Sequence, residues 1–473
     1  MPHIRVLRHY IHTPYLIMAG CEAVLIAAGV FVGFWIRAQD PTLATVPHFL
    51  TALIYAGIVL VSMVAMGVYG SHVREGYVGM MLRTAVAVFL IASLLSGIVL
   101  YFFRDLSLWR GTLAISAIAS FVLIAVFRWM ALSVLDQDNL KRRVLVLGTG
   151  ARAEKIASRM RRRYDQRGFL IVGYLPFEQT PDRVSQHGGA ILWLDEPLNA
   201  MCARLNVDEI VVALDERRRN RENSAGLPLD ELLECRLSGI DVCDVQAFIE
   251  REAGKLDIEL LQPSWIVFSD GFIRGAWRTG TKRVFDVAAS AGLLLFTWPV
   301  MLLAAFAIWL ESGFRGPILY RQQRVGLDGH YFEVTKFRSM RTDAEVGGQA
   351  VWASVNDPRV TRVGSFIRRT RIDELPQIFN VLSGDMSFVG PRPERPEFVG
   401  DLETKIPYYT HRHRIKPGLT GWAQLCYPYG ASLDDAREKL QYDLYYLKNH
   451  SILLDLIILI QTVDVVLVGD GAR

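Results

Sequence analysis

Four long apolar windows in the first 140 residues decide what this chain can fold into. Leu16 to Ile36 holds Glu22 as its only charge; Phe49 to Tyr69, Thr84 to Phe103, and Gly111 to Phe127, which continues past Arg128 to Leu135, follow at short intervals. At about 1.5 Å of rise per residue, each window reaches across a hydrocarbon layer of roughly 30 Å. The first is too long, and too soon followed by others, to read as a cleaved signal peptide. Arg5 and Arg8 precede the first window, Arg74 and Arg83 lie between the second and third, and Lys141, Arg142 and Arg143 follow the fourth. The other two loops pair Arg37 with Asp40, and Arg104 and Arg110 with Asp105. This cation bias places both termini on the cytoplasmic side.

Composition agrees with a membrane component. Hydrophobic residues make up 51% of 473, a length with room for roughly three domains. The net charge of +4 gathers at the edges of apolar runs and through the C-terminal half. Such a pattern suits anionic headgroups or phosphorylated ligands and not nucleic acid. The five cysteines, Cys21, Cys202, Cys235, Cys243 and Cys426, form no C-x-x-C pair and no regular spacing. Reduced thiols are expected, with neither a disulfide framework nor a zinc site.

After the fourth window the pattern changes to short β-like runs between helical stretches. Val144 to Leu147, Phe169 to Leu175, Ala190 to Trp193, Glu209 to Leu214 and Ile240 to Val242 read as buried strands of a parallel sheet. The turn Gly148-Thr149-Gly150-Ala151-Arg152-Ala153 follows the first of them and approaches the G-x-G-x-x-G/A dinucleotide fingerprint. The acidic residue expected after the second strand is missing at its usual spacing, since Pro176 and Phe177 intervene before Glu178. The domain therefore reads as Rossmann-like, with a structural or regulatory task favoured over cofactor binding. The expected organisation is a four-span region at 1–140, a Rossmann-like domain at 141–245, a connector with some strand character at 246–280, and a catalytic domain at 281–473.

Within that last domain, Val287 to Leu310 gives 24 residues without a charge, interrupted by Pro299. A simple crossing would carry Arg315, Arg321, Arg324, Lys336 and Arg338 out of the cell, against the cation bias. A helix over 284–310 that enters, bends at Pro299 and leaves on the same side resolves the conflict. Lys282, Arg283 and Asp286 then fit an interfacial anchor with the cations at headgroup level. Ser451 to Val468, interrupted by Asp455, Gln461 and Asp464, is expected to lie in the interface.

The chemistry concentrates at Arg371-Ile372-Asp373-Glu374-Leu375-Pro376-Gln377. Pro376 is tolerated in a first turn, so a helix is expected to begin near Asp373, where free N–H groups keep both carboxylates ionised. Asp-Glu at a helix start is ordinarily a cap, but Arg362, Arg368, Arg369 and Arg371 supply more positive charge than a cap requires. Lys336 and Arg338 alternate onto one strand face, opposite the Val334 side only if the strand is short or bulged. The rigid Gly390-Pro391-Arg392-Pro393 loop aims Arg392 in one direction, as a bidentate phosphate grip needs.

Lys336-Phe337-Arg338-Ser339-Met340, Asp373-Glu374-Leu375-Pro376-Gln377, Gly390-Pro391-Arg392-Pro393 and Lys416-Pro417-Gly418-Leu419-Thr420-Gly421-Trp422 together resemble the bacterial polyprenyl-phosphate sugar-1-phosphate transferases. The long, exopolysaccharide-initiating members of this family also carry four spans and a Rossmann-like domain. The resemblance implies a membrane α-helical N-terminal region, an α/β Rossmann-like middle domain and a mixed α/β catalytic domain with a re-entrant membrane helix hairpin. It implies that Asp373 attacks the sugar-linked phosphorus of a UDP-sugar, releasing UMP, and that undecaprenyl phosphate then takes the phosphosugar. Mg2+ is implied for the diphosphate, with Glu374 as metal ligand or orienting group. By position, Arg368 and Arg392 are phosphate or nucleotide contacts, Lys336 and Arg338 support them, and Asp443 and Asp455 match acidic positions of the family's C-terminal region and are counted with the substrate- or phosphate-binding residues. Membrane lipid, further copies of the chain and other polysaccharide-assembly proteins are the implied partners. The implied location is the bacterial inner membrane, with the catalytic domain on its cytoplasmic face. One departure stands out: the family hairpin usually breaks at Ser-Pro, whereas this chain has Trp298-Pro299.

Two other classes share parts of this pattern. A membrane nucleotide-sugar dehydratase or epimerase needs an acid/base set such as Tyr-x-x-x-Lys, and no tyrosine here has a lysine four residues on. A non-catalytic scaffold of a polysaccharide export complex would use the carboxylates as caps and the basic face for anionic lipid.

Overall fold

A computed structural model describes residues 3–6, 9–38, 46–69, 77–102, 110–134, 141–160, 168–177, 181–215, 227–261, 275–342, 358–427, 430 and 432–468. Arg8, Asp40, Arg74, Arg104, Asp105 and Glu178 lie outside the described residues, as does 262–274 of the expected connector. The chain divides into two compact units, one of residues 1–6, 10–63 and 68–261, the other of 262–473 with 7–9 and 64–67.

Two short strands, β1 (His3–Val6) and β2 (His9–His12), pair ahead of the apolar helices. The helices are α1 (Thr13–Ala38), α2 (Val46–Ala65), α3 (Tyr77–Ala85), which runs through a π-helical stretch at Val86–Ala92 into α4 (Ser93–Phe102), and α5 (Arg110–Val134). The third begins at Tyr77, ahead of the expected Thr84, so Arg83 belongs to the helix and not to a loop. Arg142 and Arg143 likewise lie in a strand, because Arg142 is needed inside the next domain. These relocations remove cations from the topology argument. Among the described residues, 16–37, 77–99, 111–131 and 277–311 are long and apolar enough to cross a membrane, and Phe49–Ala65 is a shorter apolar helix. This is a membrane protein.

Lipid tails are as apolar as leucine, so what joins such helices is close approach and polar contact. Both are present. Gly29 and Gly33 of α1 face Ser120 and Ser116 of α5; a Cβ on either glycine would stand 2.4 Å from the serine Oγ opposite. Gly29→Leu is therefore expected to wedge α1 from α5 at a cost of at least about 1–3 kcal/mol, read as a lower thermal midpoint in detergent. The charged members of the windows also find each other. Arg128 donates through Nε to Glu22 Oε1 at 2.5 Å, through Nη2 to Oε2 at 2.9 Å, and through Nη1 to Thr84 Oγ1 at 2.8 Å. The Tyr69 hydroxyl completes the group by donating to Glu22.

The α/β part follows as β3 (Arg142–Leu147), α6 (Ala151–Arg159), β4 (Phe169–Leu175), α7 (Leu198–Arg204), β5 (Glu209–Val212), α8 (Leu229–Leu237), β6 (Asp241–Asp244) and α9 (Val245–Ala253). All pairings are parallel, in the order β4-β3-β5-β6. Both faces are covered, so the strands read as continuous apolar runs. Val144 and Val146 pack with Ile156, Phe248 and Ile249 on one side; Leu145 and Leu147 pack with Leu198, Met201 and Leu232 on the other. Two expectations change. Ala190–Trp193 is not a strand but a single parallel bridge from Ile191 to Tyr174, since the Gly188-Gly189 pair before it and Pro197 after it leave too short a run. The domain does not stop at 245 either: α9 supplies Phe248 and Ile249 to its core, and the compact unit ends at Leu261.

The Gly148–Ala153 turn opens α6 as expected, but its phosphate seat is taken. The Asp215 carboxylate, arriving from the end of β5, accepts from Ala151 N and Arg152 N at 2.8 Å each. A chain anion thus meets the N–H groups that face the pyrophosphate in a dinucleotide site.

In the second unit a 36-residue helix, α10 (Ala276–Glu311), comes first. The hairpin β7 (Leu319–Val325) and β8 (Tyr331–Phe337), then α11 (Arg362–Arg369) and α12 (Gln377–Ser383), follow. The parallel pair β9 (Ser387–Val389) and β10 (Gly418–Thr420) flanks α13 (Pro396–Lys405). Short α14 (Trp422–Cys426), α15 (Leu433–Asn449) and α16 (Ile452–Val468) close the unit.

Helix α10 stays helical through Pro299 and is docked at both ends. Near its start, Lys282 pairs with Asp455 at 2.7 Å and reaches the Tyr446 hydroxyl at 3.1 Å. Arg283 donates to the carbonyls of Val381 and Leu382 at 2.5 and 2.6 Å, and Asp286 accepts from Ser387 Oγ and Phe388 N at 3.0 Å each. These three side chains hold the helix to the domain instead of reaching headgroups. The last turn of α12 leaves carbonyls short of helix partners, and Arg283 bonds two of them: Leu382 O, and Val381 O, which also accepts from the capping Gly384 N at 3.2 Å. Near its end, Ala304 and Ile308 pack with Phe337 and Ile367, and Glu311 accepts from Arg362 N and Val363 N at the start of α11. Between the docked ends Leu295, Phe296, Leu302 and Leu303 lie exposed.

Candidate functional site

Asp373 and Glu374 occupy a 3₁₀ turn, Ile372–Glu374, ahead of α12, which starts only at Gln377 because Pro376 takes the cap. The expected helix start at Asp373 is thus displaced by one short turn. Arg371 opens the turn in left-handed backbone, φ 58°, a strained conformation of the sort that clusters at functional sites. The two carboxylates differ sharply. Glu374 Oε1 meets Arg392 Nη2 at 3.0 Å, Lys336 Nζ at 3.1 Å and Arg371 Nη1 at 3.9 Å. Asp373, only 9% exposed, takes no hydrogen bond or ion pair from any described residue.

Their electrostatics diverge accordingly. Burial alone would raise the Glu374 carboxyl, but Lys336, Arg392 and Arg371 outweigh it and hold it well below the usual range. Asp373 goes the other way: burial and then the Glu374 charge push it up to about 6, against the pull of Lys336, Arg371 and Arg368. The sequence argument from free N–H groups therefore fails for Asp373, although a value near 6 still leaves most of it ionised at pH 7. Lys336 is lowered by burial, in part offset by Glu374.

The lysine reaches the pair because β8 is regular. Its register with β7 shows no shift, so Val334 and Lys336 share one face, contrary to the opposed arrangement considered from sequence. Val334 packs on Val381 and Met386 below, and Lys336 stands at the rim. Asn380, which residue pattern did not single out, bolts α12 to this strand: its Oδ1 accepts from Thr335 N at 3.0 Å and its Nδ2 donates to Glu333 O at 2.7 Å. Arg338 diverges, its guanidinium lying over Gly316.

The Pro-Arg-Pro loop is held by a close backbone contact and a set of hydrogen bonds. Gly390 and Gly418 touch backbone to backbone, since a Cβ on Gly418 would fall 2.0 Å from Gly390 N. This contact joins the Gly390–Pro393 and Lys416–Trp422 motifs. Four successive carbonyls are then gripped: Pro391 O by Gly418 N at 2.9 Å, Arg392 O by Arg412 Nη2 at 3.0 Å, Pro393 O by Arg324 Nη1 at 3.0 Å, and Glu394 O by Val325 N at 3.0 Å.

Of the remaining candidates, Arg368 acts on Asp373 through its charge. Asp443 and Asp455 are placed elsewhere. Asp443 is buried against Arg412 at 2.8 Å, and Asp455 is shared between Lys282 and Tyr446, whose hydroxyl lies 2.6 Å from it. Arg412 was hidden in Tyr-Thr-His-Arg-His-Arg, a run that looks like exposed cations; only tertiary contact reveals it.

Fold and site together define a membrane-embedded protein whose second unit holds a divergent acid pair among converging cations. The profile described as "Bacterial sugar transferase" matches residues 277–469, and one described as "CoA-binding domain" matches 64–221. The undecaprenyl-phosphate glucose phosphotransferase of Komagataeibacter xylinus is 35% identical over 330 residues, 69% of this chain and 59% of the relative. The UDP-N-acetylgalactosamine-undecaprenyl-phosphate N-acetylgalactosaminephosphotransferase of Aeromonas hydrophila is 41% identical over 242 residues, 51% of this chain and 56% of the relative. The exopolysaccharide production protein PSS of Rhizobium leguminosarum bv. phaseoli is 44% identical over 188 residues, 38% of this chain and 92% of the relative. The chain belongs to the bacterial sugar transferase family. It spans a little over half the length of the first two of these relatives.

Proposed function

We propose that the protein transfers sugar-1-phosphate from a UDP-sugar to undecaprenyl phosphate at the cytoplasmic face of the bacterial inner membrane, as the first step of exopolysaccharide synthesis. The observation that carries this reading is the asymmetry of the pair: a buried Asp373 that takes no hydrogen bond from any described residue, beside a Glu374 already braced by cations. An Asp373 oxygen attacks the sugar-linked phosphorus; the bond to the bridging oxygen breaks, and UMP leaves with that oxygen and the electron pair. The aspartyl-phosphosugar is then attacked by a phosphate oxygen of the lipid, which restores the carboxylate and yields the lipid diphosphate sugar. Arg392, Lys336 and Arg368 lower the repulsion between the attacking carboxylate and the donor diphosphate.

Magnesium fits this site. Among the described residues no group of three or more His, Cys, Asp or Glu converges, and Mg2+ commonly takes one or two carboxylates and leaves its other positions to water and substrate phosphates. Glu374 meets its cations through Oε1, so Oε2 is the oxygen that would hold the ion. When bound, the ion supplies further neutralisation of the diphosphate.

Two features support re-entry of α10. Both of its ends dock on one domain, and each arm beside Pro299 is about a dozen residues, roughly 18 Å, which is short of a hydrocarbon crossing. A shallow dip keeps Asp373 within reach of a soluble donor and a lipid acceptor. The test is incubation of purified protein with UDP-glucose, UDP-galactose or UDP-N-acetylgalactosamine, labelled in the sugar, plus undecaprenyl phosphate, with and without Mg2+. UMP release with label entering the organic phase is expected; no UMP from any donor would leave the scaffold reading ahead.

A further inference from the structure

The geometry points to Asp443, Arg412 and Arg324 as positioning residues that fix the Arg392 loop and so set the guanidinium on Glu374, without touching substrate. This rests on the proposed transfer reaction. Arg412 is buried and uses its whole guanidinium: Nη1 donates to the Tyr409 hydroxyl at 2.7 Å, Nε to Asp443 Oδ2 at 3.1 Å, and Nη2 to both that oxygen and Arg392 O. A buried arginine needs a counter-charge, and Asp443 on α15, itself 2% exposed, supplies it. Burial raises the Asp443 carboxyl and Arg412 pulls it partly back.

Why such a device is needed follows from the loop's chemistry. Pro391 and Pro393 have no N–H, so beyond Gly390, whose N–H donates to Thr420 O at 2.9 Å, the segment before α13 is held through its carbonyls. Two of the four grips come from the main chain and two from arginine side chains, Arg412 and Arg324, on the consecutive carbonyls of Arg392 and Pro393. The carbonyl held by Arg412 belongs to the very residue whose side chain reaches Glu374 at 3.0 Å. Releasing it frees the Arg392 main chain, and a displacement of about 1 Å at a charged contact is enough to cost on the order of 10²-fold in rate.

The test is a double-mutant cycle on the full chain in nanodiscs, scoring UMP release from whichever of the three donors is active. Asp443→Asn keeps shape and an acceptor but removes the counter-charge; about a 10- to 100-fold loss is expected. The loss should appear in the same parameter, kcat or KM, in which Arg392→Ala loses. In the Arg392→Ala background the added effect of Asp443→Asn should shrink to within about twofold, because the residue it serves is gone. A general loosening of the fold would instead multiply the two losses. Where Asp443→Asn lowers the yield of folded protein, Arg324→Gln, at a partly exposed position, goes through the same cycle with the same expectation. Multiplying losses, or no loss from either variant, overturn the inference while leaving the transferase reading intact. No UMP from the unaltered chain sinks the transferase reading and this inference with it.

Discussion

Asp373→Asn should abolish both UMP release and label transfer, by at least about 10³-fold, while leaving the fold as stable as before or more so. The first half follows from chemistry, because an amide offers no carboxylate to become a phosphoryl acceptor. The second follows from the site. Asp373 is buried beside a second carboxylate and takes no partner among the described residues, so ionising it in the folded state is unfavourable, as its raised pKa reflects. An isosteric neutral side chain removes that cost. Loss of activity at an unchanged or higher melting temperature therefore marks a nucleophile, whereas a cap would give the opposite pair of results: intact turnover and a weakened helix start. Retention of UMP release near the original rate would defeat the aspartyl mechanism and favour the scaffold.

The second large effect lies in the apolar helices. Arg128→Met or Glu22→Gln should each destabilise the first unit by about 3–5 kcal/mol, since either leaves a buried group without its partner. Arg128 and Glu22 are 1% and 0% exposed and join α1, α3 and α5 through four hydrogen bonds that include Thr84 and Tyr69. Replacing both together with apolar residues should recover most of the loss. Thermal unfolding of the four proteins in one detergent decides the matter; a pair that contributes nothing would give four equal curves.

Much of this was legible in residue order, and the reasons are local. Apolar runs announce membrane helices whatever their neighbours are, and β3, β4 and β5 announce themselves because strands covered on both faces are apolar throughout. The acid pair was visible because Arg368, Arg369 and Arg371 crowd a short stretch of sequence. What stayed hidden depends on partners far along the chain. Arg283 looks like a headgroup anchor until α12 turns its last carbonyls toward it. Asp215 gives no sign that it will fill the glycine-rich turn after β3. Asp443 matches an acidic position but is buried behind Arg412, and nothing in its neighbours foretells that. Regular β8 pairing sent Lys336 to Val334's face, a choice that pattern alone left open.

Helix α10 is latched by Asp286 at one end and Glu311 at the other, so its length behaves as a ruler. Adding or deleting one residue between the latches would swing the far end by about 100° and slide it by about 1.5 Å, pulling Glu311 off the start of α11 and tilting the turn that follows. An ordinary membrane tether tolerates exchange for any greasy helix of similar span. This one is a calibrated part of the second unit's frame, and grafting a foreign anchor in its place would succeed only with the same residue count between the two acids.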